Sequence, residues 1–164
     1  MELKSLEKAI RSSLQSLHTQ INLDGWTGRR EKEIVSYYCF GHLIGHCKPK
    51  SFLYDPRQIC IEVAVPQLAG QKTLSGKRSQ KPQVCKDIVL WSKPGLTCRD
   101  SDGRATVYPS AIIEWKHNVS KKSEYDREWL IQFSQVANDF VGYRVTTELD
   151  AGPFQLCCDR VQHG

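Results

Sequence analysis

The sequence predicts an α/β domain with one mixed central β-sheet flanked by helices, plus an extra helix at the N-terminus. Three observations carry this. The chain has 164 residues, a length that suits one domain with a substantial core. Short apolar runs rich in β-branched residues, at 58–65, 86–91, 110–118 and 141–147, and a closing run at 154–158 are separated by turn signals. Before and between them lie stretches with apolar residues every three or four positions. The order is therefore helix, helix, three strands, helix, two strands.

Composition narrows the class. Hydrophobic residues make up 40% and charged residues 25%, an ordinary globular balance that argues against extensive disorder. No run reaches the apolar length of a membrane-spanning helix, and the opening Met-Glu-Leu-Lys-Ser-Leu-Glu-Lys has no signal-peptide pattern. The seven cysteines are odd in number and scattered. Reduced thiols and a cytoplasmic location are expected. The net charge of +5 permits a polyanionic partner but serves solubility equally well.

Leu3, Leu6, Ile10, Leu14, Leu17 and Ile21 form the stripe of an amphipathic helix over 1–23. Packing on the domain is its first use, and a homodimer contact its second. Leu23-Asp-Gly-Trp-Thr-Gly28 ends it and offers Thr27 or Gly28 as the next N-cap. A second helix is expected over 29–45, with an aromatic face of Ile34, Tyr37, Tyr38, Phe40 and Ile44. Glu33 shares that face at i+4, i+7 and i+11 spacing, while Glu31 falls towards its edge. An acid on a buried stripe needs a partner or a task. His42 and His46 have zinc-type spacing, but no C-x-x-C accompanies them, and helix-end roles are expected.

The strand at 58–65 is closed by Pro66. A long loop follows over 67–83, rich in Gly, Ser and Gln and carrying Lys72, Lys77, Arg78 and Lys81. Such loops are functional or disordered, and this one is a candidate clamp on a phosphate backbone. Pro94-Gly95 and Asp100-Ser-Asp-Gly103 are turn chemistry. A helix over 123–138 has Trp129, Leu130, Phe133 and Val136 on its apolar side, with Gln132 and Gln135 on or near the inner face.

The chemistry centres on Ser110-Ala-Ile-Ile-Glu-Trp-Lys-His-Asn118. Residues i and i+2 of a strand share a face, so Glu114 and Lys116 stand together while Trp115 points away. Lys86-Asp87-Ile-Val-Leu-Trp91 is a neighbouring run with Asp87 at its mouth. Antiparallel pairing of the two runs would bring Asp87, Glu114 and Lys116 to one end of the sheet. Two carboxylates supply hard oxygen ligands for Mg²⁺, and the ammonium can orient water or offset charge on an attacked phosphate.

This pattern resembles the PD-(D/E)xK nuclease superfamily, which has an Asp on one strand and Glu-x-Lys on the next. Glu114-Trp115-Lys116 matches in full; the "PD" element is degenerate, since Pro82 is not adjacent to Asp87. The resemblance covers roughly residues 30–159 of the single domain and implies a restriction-endonuclease-like fold. It also implies a Mg²⁺- or Mn²⁺-dependent nuclease acting on DNA. Asp87 and Glu114 would be metal ligands, Lys116 the catalytic cation, and the carbonyl of residue 115 a further ligand. The family's helix glutamate falls to Glu33, with Glu31 as runner-up, and a supporting polar role to Gln132 or Gln135. A nuclease fold without turnover, binding nucleic acid or a protein partner, is the alternative. No Gly-rich phosphate loop, G-x-S-x-G elbow or H-E-x-x-H is present.

Overall fold

Five strands make one sheet in their order along the chain: β1 (Ile59–Pro66), β2 (Gln83–Leu90), β3 (Ala111–His117), β4 (Val141–Glu148) and β5 (Gln155–Val161). The structure is a computed structural model and describes residues 2–68, 81–118, 124–149 and 152–161. β1, β2 and β3 are successively antiparallel, β4 runs parallel to β3, and β5 returns antiparallel to β4. A parallel pair needs a crossover, and α3 (Glu124–Ser134) lies in that connection. The result is the expected α/β domain with a mixed sheet.

Helices cover both faces. On one side α1 (Glu2–Asp24), α2 (Glu31–Tyr37) and the turn that follows α2 bury Leu6, Ile10, Leu17, Ile34 and Tyr38 against Ile88, Leu90, Ile113 and Trp115. On the other, Trp129, Leu130 and Phe133 of α3 close over Val65, Val89 and Ile112. The alternation of Ile112 and Ile113 between the two cores is the strand period made visible.

Three expectations change. The α1 stripe is consumed: Leu6, Ile10, Leu14, Leu17 and Ile21 are all buried within this chain. It is therefore not a spare apolar face for a homodimer. The second helix starts two residues late, and after Tyr37 it widens into a π turn (Tyr38–His42) and then tightens into a 3₁₀ turn (Leu43–His46). Its buried positions are Ile34, Val35, Tyr38, Cys39, His42 and Leu43, whereas Phe40 is exposed. The buried stripe thus lies about one residue round from the aromatic face that spacing suggested. Finally, α3 stops at Ser134, whose hydroxyl donates to the Ile131 carbonyl at 2.7 Å. Val136 is left exposed beyond the helix end. No helix among the described residues is long and apolar enough to cross a membrane.

Candidate functional site

The sheet opens where β2 and β3 separate. Their ladder runs from Leu90–Ala111 to Ile88–Ile113 and ends there. At the next position the Asp87 carboxylate substitutes for a backbone acceptor and takes the Trp115 N–H at 2.8 Å. The β1–β2 ladder skips a rung at the same level. Ile61 pairs with Ile88 and Val63 with Lys86, leaving Glu62 at φ 52° opposite Asp87. Left-handed backbone at a non-glycine residue inside a strand is uncommon and disturbs the alternation of side chains. Lys86 and Val89, three residues apart, consequently both face α3. Val89 packs in the α3 core, and the Lys86 ammonium sits 3.8 Å from the centroid of the Trp129 ring.

Two groups of charges result. The inner one is an ion pair between Lys86 and Glu114, each only 4% exposed. Burial pushes the Glu114 carboxyl up to about 7, against the pull of Lys86 and with a further push from Asp87. Half-ionised acids of this kind, in clefts, are frequent at functional sites. The outer group surrounds Lys116. Its Nζ donates to the Trp115 carbonyl at 2.7 Å. It stands 3.8 Å from Glu31, 3.8 Å from Asp87 and 3.9 Å from Asp126. Burial works to lower the Lys116 pKa, but Asp87, Glu31 and Asp126 outweigh it and hold the ammonium above its ordinary value. Burial likewise raises Glu31, opposed by Lys116 and by the His117 N–H that donates to it at 3.3 Å.

The predicted residues divide accordingly. Asp87 and Lys116 meet at the open end of the sheet, 3.8 Å apart. Glu114, expected beside Asp87 as a second ligand, turns inward to Lys86 instead. Glu33 does not join them. It is exposed, and its carboxylate accepts the Arg29 and Arg30 N–H groups at 3.0 and 3.1 Å, satisfying donors at the start of α2. The runner-up, Glu31, takes the inward place because it lies one turn before Ile34 and Val35 on the true buried stripe. Gln132 and Gln135 are exposed and support nothing in the site. Of the basic loop, Lys72, Lys77 and Arg78 lie outside the described residues, and Lys81 is exposed just before β2.

Two contributors were not anticipated. Asp126 sits three and four residues before Trp129 and Leu130, on the buried stripe of α3, and that spacing was available in the sequence. Lys86 announced itself only as a cation inside an apolar run. In kind, the oxygens of Glu31, Asp87, Asp126 and the Trp115 carbonyl are hard donors of the sort Mg²⁺ takes. Among the described residues, however, no three acids, histidines or cysteines close into a metal cage. The Lys116 ammonium holds the middle of the acid ring.

Comparison with family models, with curated proteins and with solved structures finds no match to this chain.

Proposed function

We propose that this protein is a divalent-metal-dependent phosphodiesterase acting on DNA, of PD-(D/E)xK type. One observation carries the reading. A strand lysine stands at the open end of the sheet with carboxylates from α2, β2 and α3 gathered around it. Structural salt bridges seldom recruit three acids to one cation, because the excess negative charge is repulsive. Four carboxyl groups here face two ammonium groups, an imbalance that a dication would neutralise. A DNA phosphate could not approach that imbalance otherwise.

Asp87, with Glu31 or Asp126 and the Trp115 carbonyl, would hold Mg²⁺ or Mn²⁺. Such an ion, when bound, polarises a phosphoryl oxygen and eases ionisation of water. Lys116 would meet the negative charge that develops on the phosphoryl group in the transition state. Glu114 would tune the site from beneath, through its charge and its pair with Lys86. The order of strands and the α3 crossover agree with the core that the family resemblance implies.

A specific observation also supports a second reading, a nuclease-like module that binds without turnover. Both lysines already offset the acids, so the group is partly self-satisfied. Purified protein incubated with Mg²⁺ or Mn²⁺ and single- or double-stranded DNA distinguishes the two. Cleavage by the wild type that falls on the order of 10²–10³ in Lys116→Ala, with metal and DNA binding retained, supports the enzyme. DNA binding with no metal-dependent cleavage assigns the module. Cleavage unchanged in Lys116→Ala removes the lysine from the chemistry.

A further inference from the structure

Away from the acid ring, α1 and the β4–β5 edge of the sheet border a half-open cavity of about 410 Å³. Its construction follows two periodicities. Arg11, Leu14 and His18 reach it from one face of α1, at spacings of three and four. Leu156 and Arg160 reach it from one face of β5, and the ring of Tyr143 on β4 lies between. The volume is that of a small-ligand site, and the lining mixes a few polar groups with an apolar floor, as such sites do.

The polar groups share one sign of purpose. Arg160 is held in place by Glu7, with Nε at 3.1 Å and Nη2 at 2.5 Å from the same carboxylate oxygen. That pair fixes the plane of the guanidinium while offsetting part of its charge. Tyr143 is 1% exposed, and no hydrogen bond of good geometry reaches its hydroxyl among the described residues. Burial and then Glu7 push that phenol up, while the neighbouring Arg11 pulls it back. Tyr143 therefore stays neutral, a donor rather than a competing anion. His18 adds a ring that tilts against Phe154, with centroids 6.0 Å apart. Glu7 is the carboxylate of this neighbourhood, and it is engaged by Arg160.

We propose that this cavity binds a small organic anion, its carboxylate or phosphate head met by Arg11 and Arg160 and its apolar body resting on Leu14, Leu156 and the Tyr143 ring. The site is independent of the phosphodiesterase reading, since none of its residues belongs to the acid ring. Both parts of the ligand are needed. The floor gives an inorganic anion nothing to rest on, and the two guanidiniums lose water without return if the ligand is neutral.

The test is titration of the isotope-labelled full chain with phenyl phosphate and phenylacetate, followed by amide chemical shifts. Inorganic phosphate and benzyl alcohol are titrated as half-ligands. The proposal expects saturable shifts confined to 7–18, 143 and 154–161 with at least one of the two aromatic anions. Whichever binds more tightly identifies the head group. Arg11→Gln and Arg160→Gln should each weaken that binding about tenfold or more. Since Arg160→Gln also removes the Glu7 pair, an altered spectrum in that variant leaves the decision to Arg11→Gln. Inorganic phosphate binding as tightly as phenyl phosphate overturns the proposal, because the floor then contributes nothing. So does benzyl alcohol binding as tightly as the anions, or shifts that do not saturate with either anion.

Discussion

Lys86→Met tests the inner ion pair. The substitution keeps the length of the side chain and deletes its charge, leaving Glu114 buried with no counter-charge. In the wild type, Glu114 has a folded value of about 7 against an ordinary 4.5. Its folded pKa is raised, so its contribution to stability is fully present below 4.5 and is lost as pH rises through about 7. At 1.36 kcal/mol per pKa unit, that loss is on the order of 3 kcal/mol. Above pH 7 the wild-type carboxylate is ionised in both states, and its slope vanishes. Without Lys86, the acid keeps its proton in the folded state to higher pH, while the unfolded chain has already released it. The variant must therefore continue to lose about 1.4 kcal/mol per pH unit relative to wild type. Urea unfolding of both proteins at pH 6 and pH 9 measures this directly. The cost of Lys86→Met should be greater at pH 9, by up to about 2.7 kcal/mol. The double variant Lys86→Met, Glu114→Gln should recover most of that difference, because replacing both partners of a buried pair is far milder than removing one. An equal cost at the two pH values would refute the assignment of Lys86 as the charge that keeps Glu114 ionisable.

Glu31→Gln should reduce metal-dependent cleavage at least tenfold, whereas Glu33→Gln should leave it unchanged and cost about 0.5–1 kcal/mol through the helix start; paired cleavage and unfolding assays separate them. Asp87→Ala should lose metal affinity and cleavage together, read by metal titration beside the activity assay, since it deletes a donor. Replacing Lys72, Lys77, Arg78 and Lys81 with Ser should weaken DNA binding and flatten the log–log salt slope by about 0.9 for each phosphate no longer neutralised; an unchanged slope makes the loop a bystander. Gly28→Ala should destabilise by about 1–3 kcal/mol in thermal or urea unfolding. Its new methyl would stand 2.6 Å from the Trp26 ring, which is itself stacked on Tyr37 at 4.8 Å.

The first four strands were legible because each is short, apolar and β-branched, and the strand edges fall within a few residues of the turn signals that bound them. The meeting of Asp87 with Lys116 was legible for the same reason. Antiparallel pairing of consecutive strands leaves little freedom in where their ends meet. What the pattern could not convey was the break at Glu62 and Asp87. A rung skipped on the β1 side of β2, where the ladder on its β3 side also ends, depends on pairing across strands, and no local periodicity encodes it. That break swings Lys86 under the sheet and draws Glu114 inward, which explains why the expected pair of ligands is divided.

The helix acids were misassigned for a different reason. Glu33 follows from extending an ideal 3.6-residue period through Tyr37, Phe40 and Ile44. The helix departs from that period at Tyr38, where it widens, so residues beyond this point misreport the face before it. Counting backward from Ile34 and Val35 alone selects Glu31. The same count from Trp129 and Leu130 selects Asp126. Each acid lies in the first turn of its helix and on the stripe that faces the sheet. There the helix dipole favours a carboxylate, and the end of the sheet offers a half-wet cleft rather than closed core. An acid one turn before the first buried pair of a helix is thus placed by two independent forces at the mouth between helix and strands. In this chain two helices on opposite faces each supply one, and Lys116 on the intervening strand is the group that both reach.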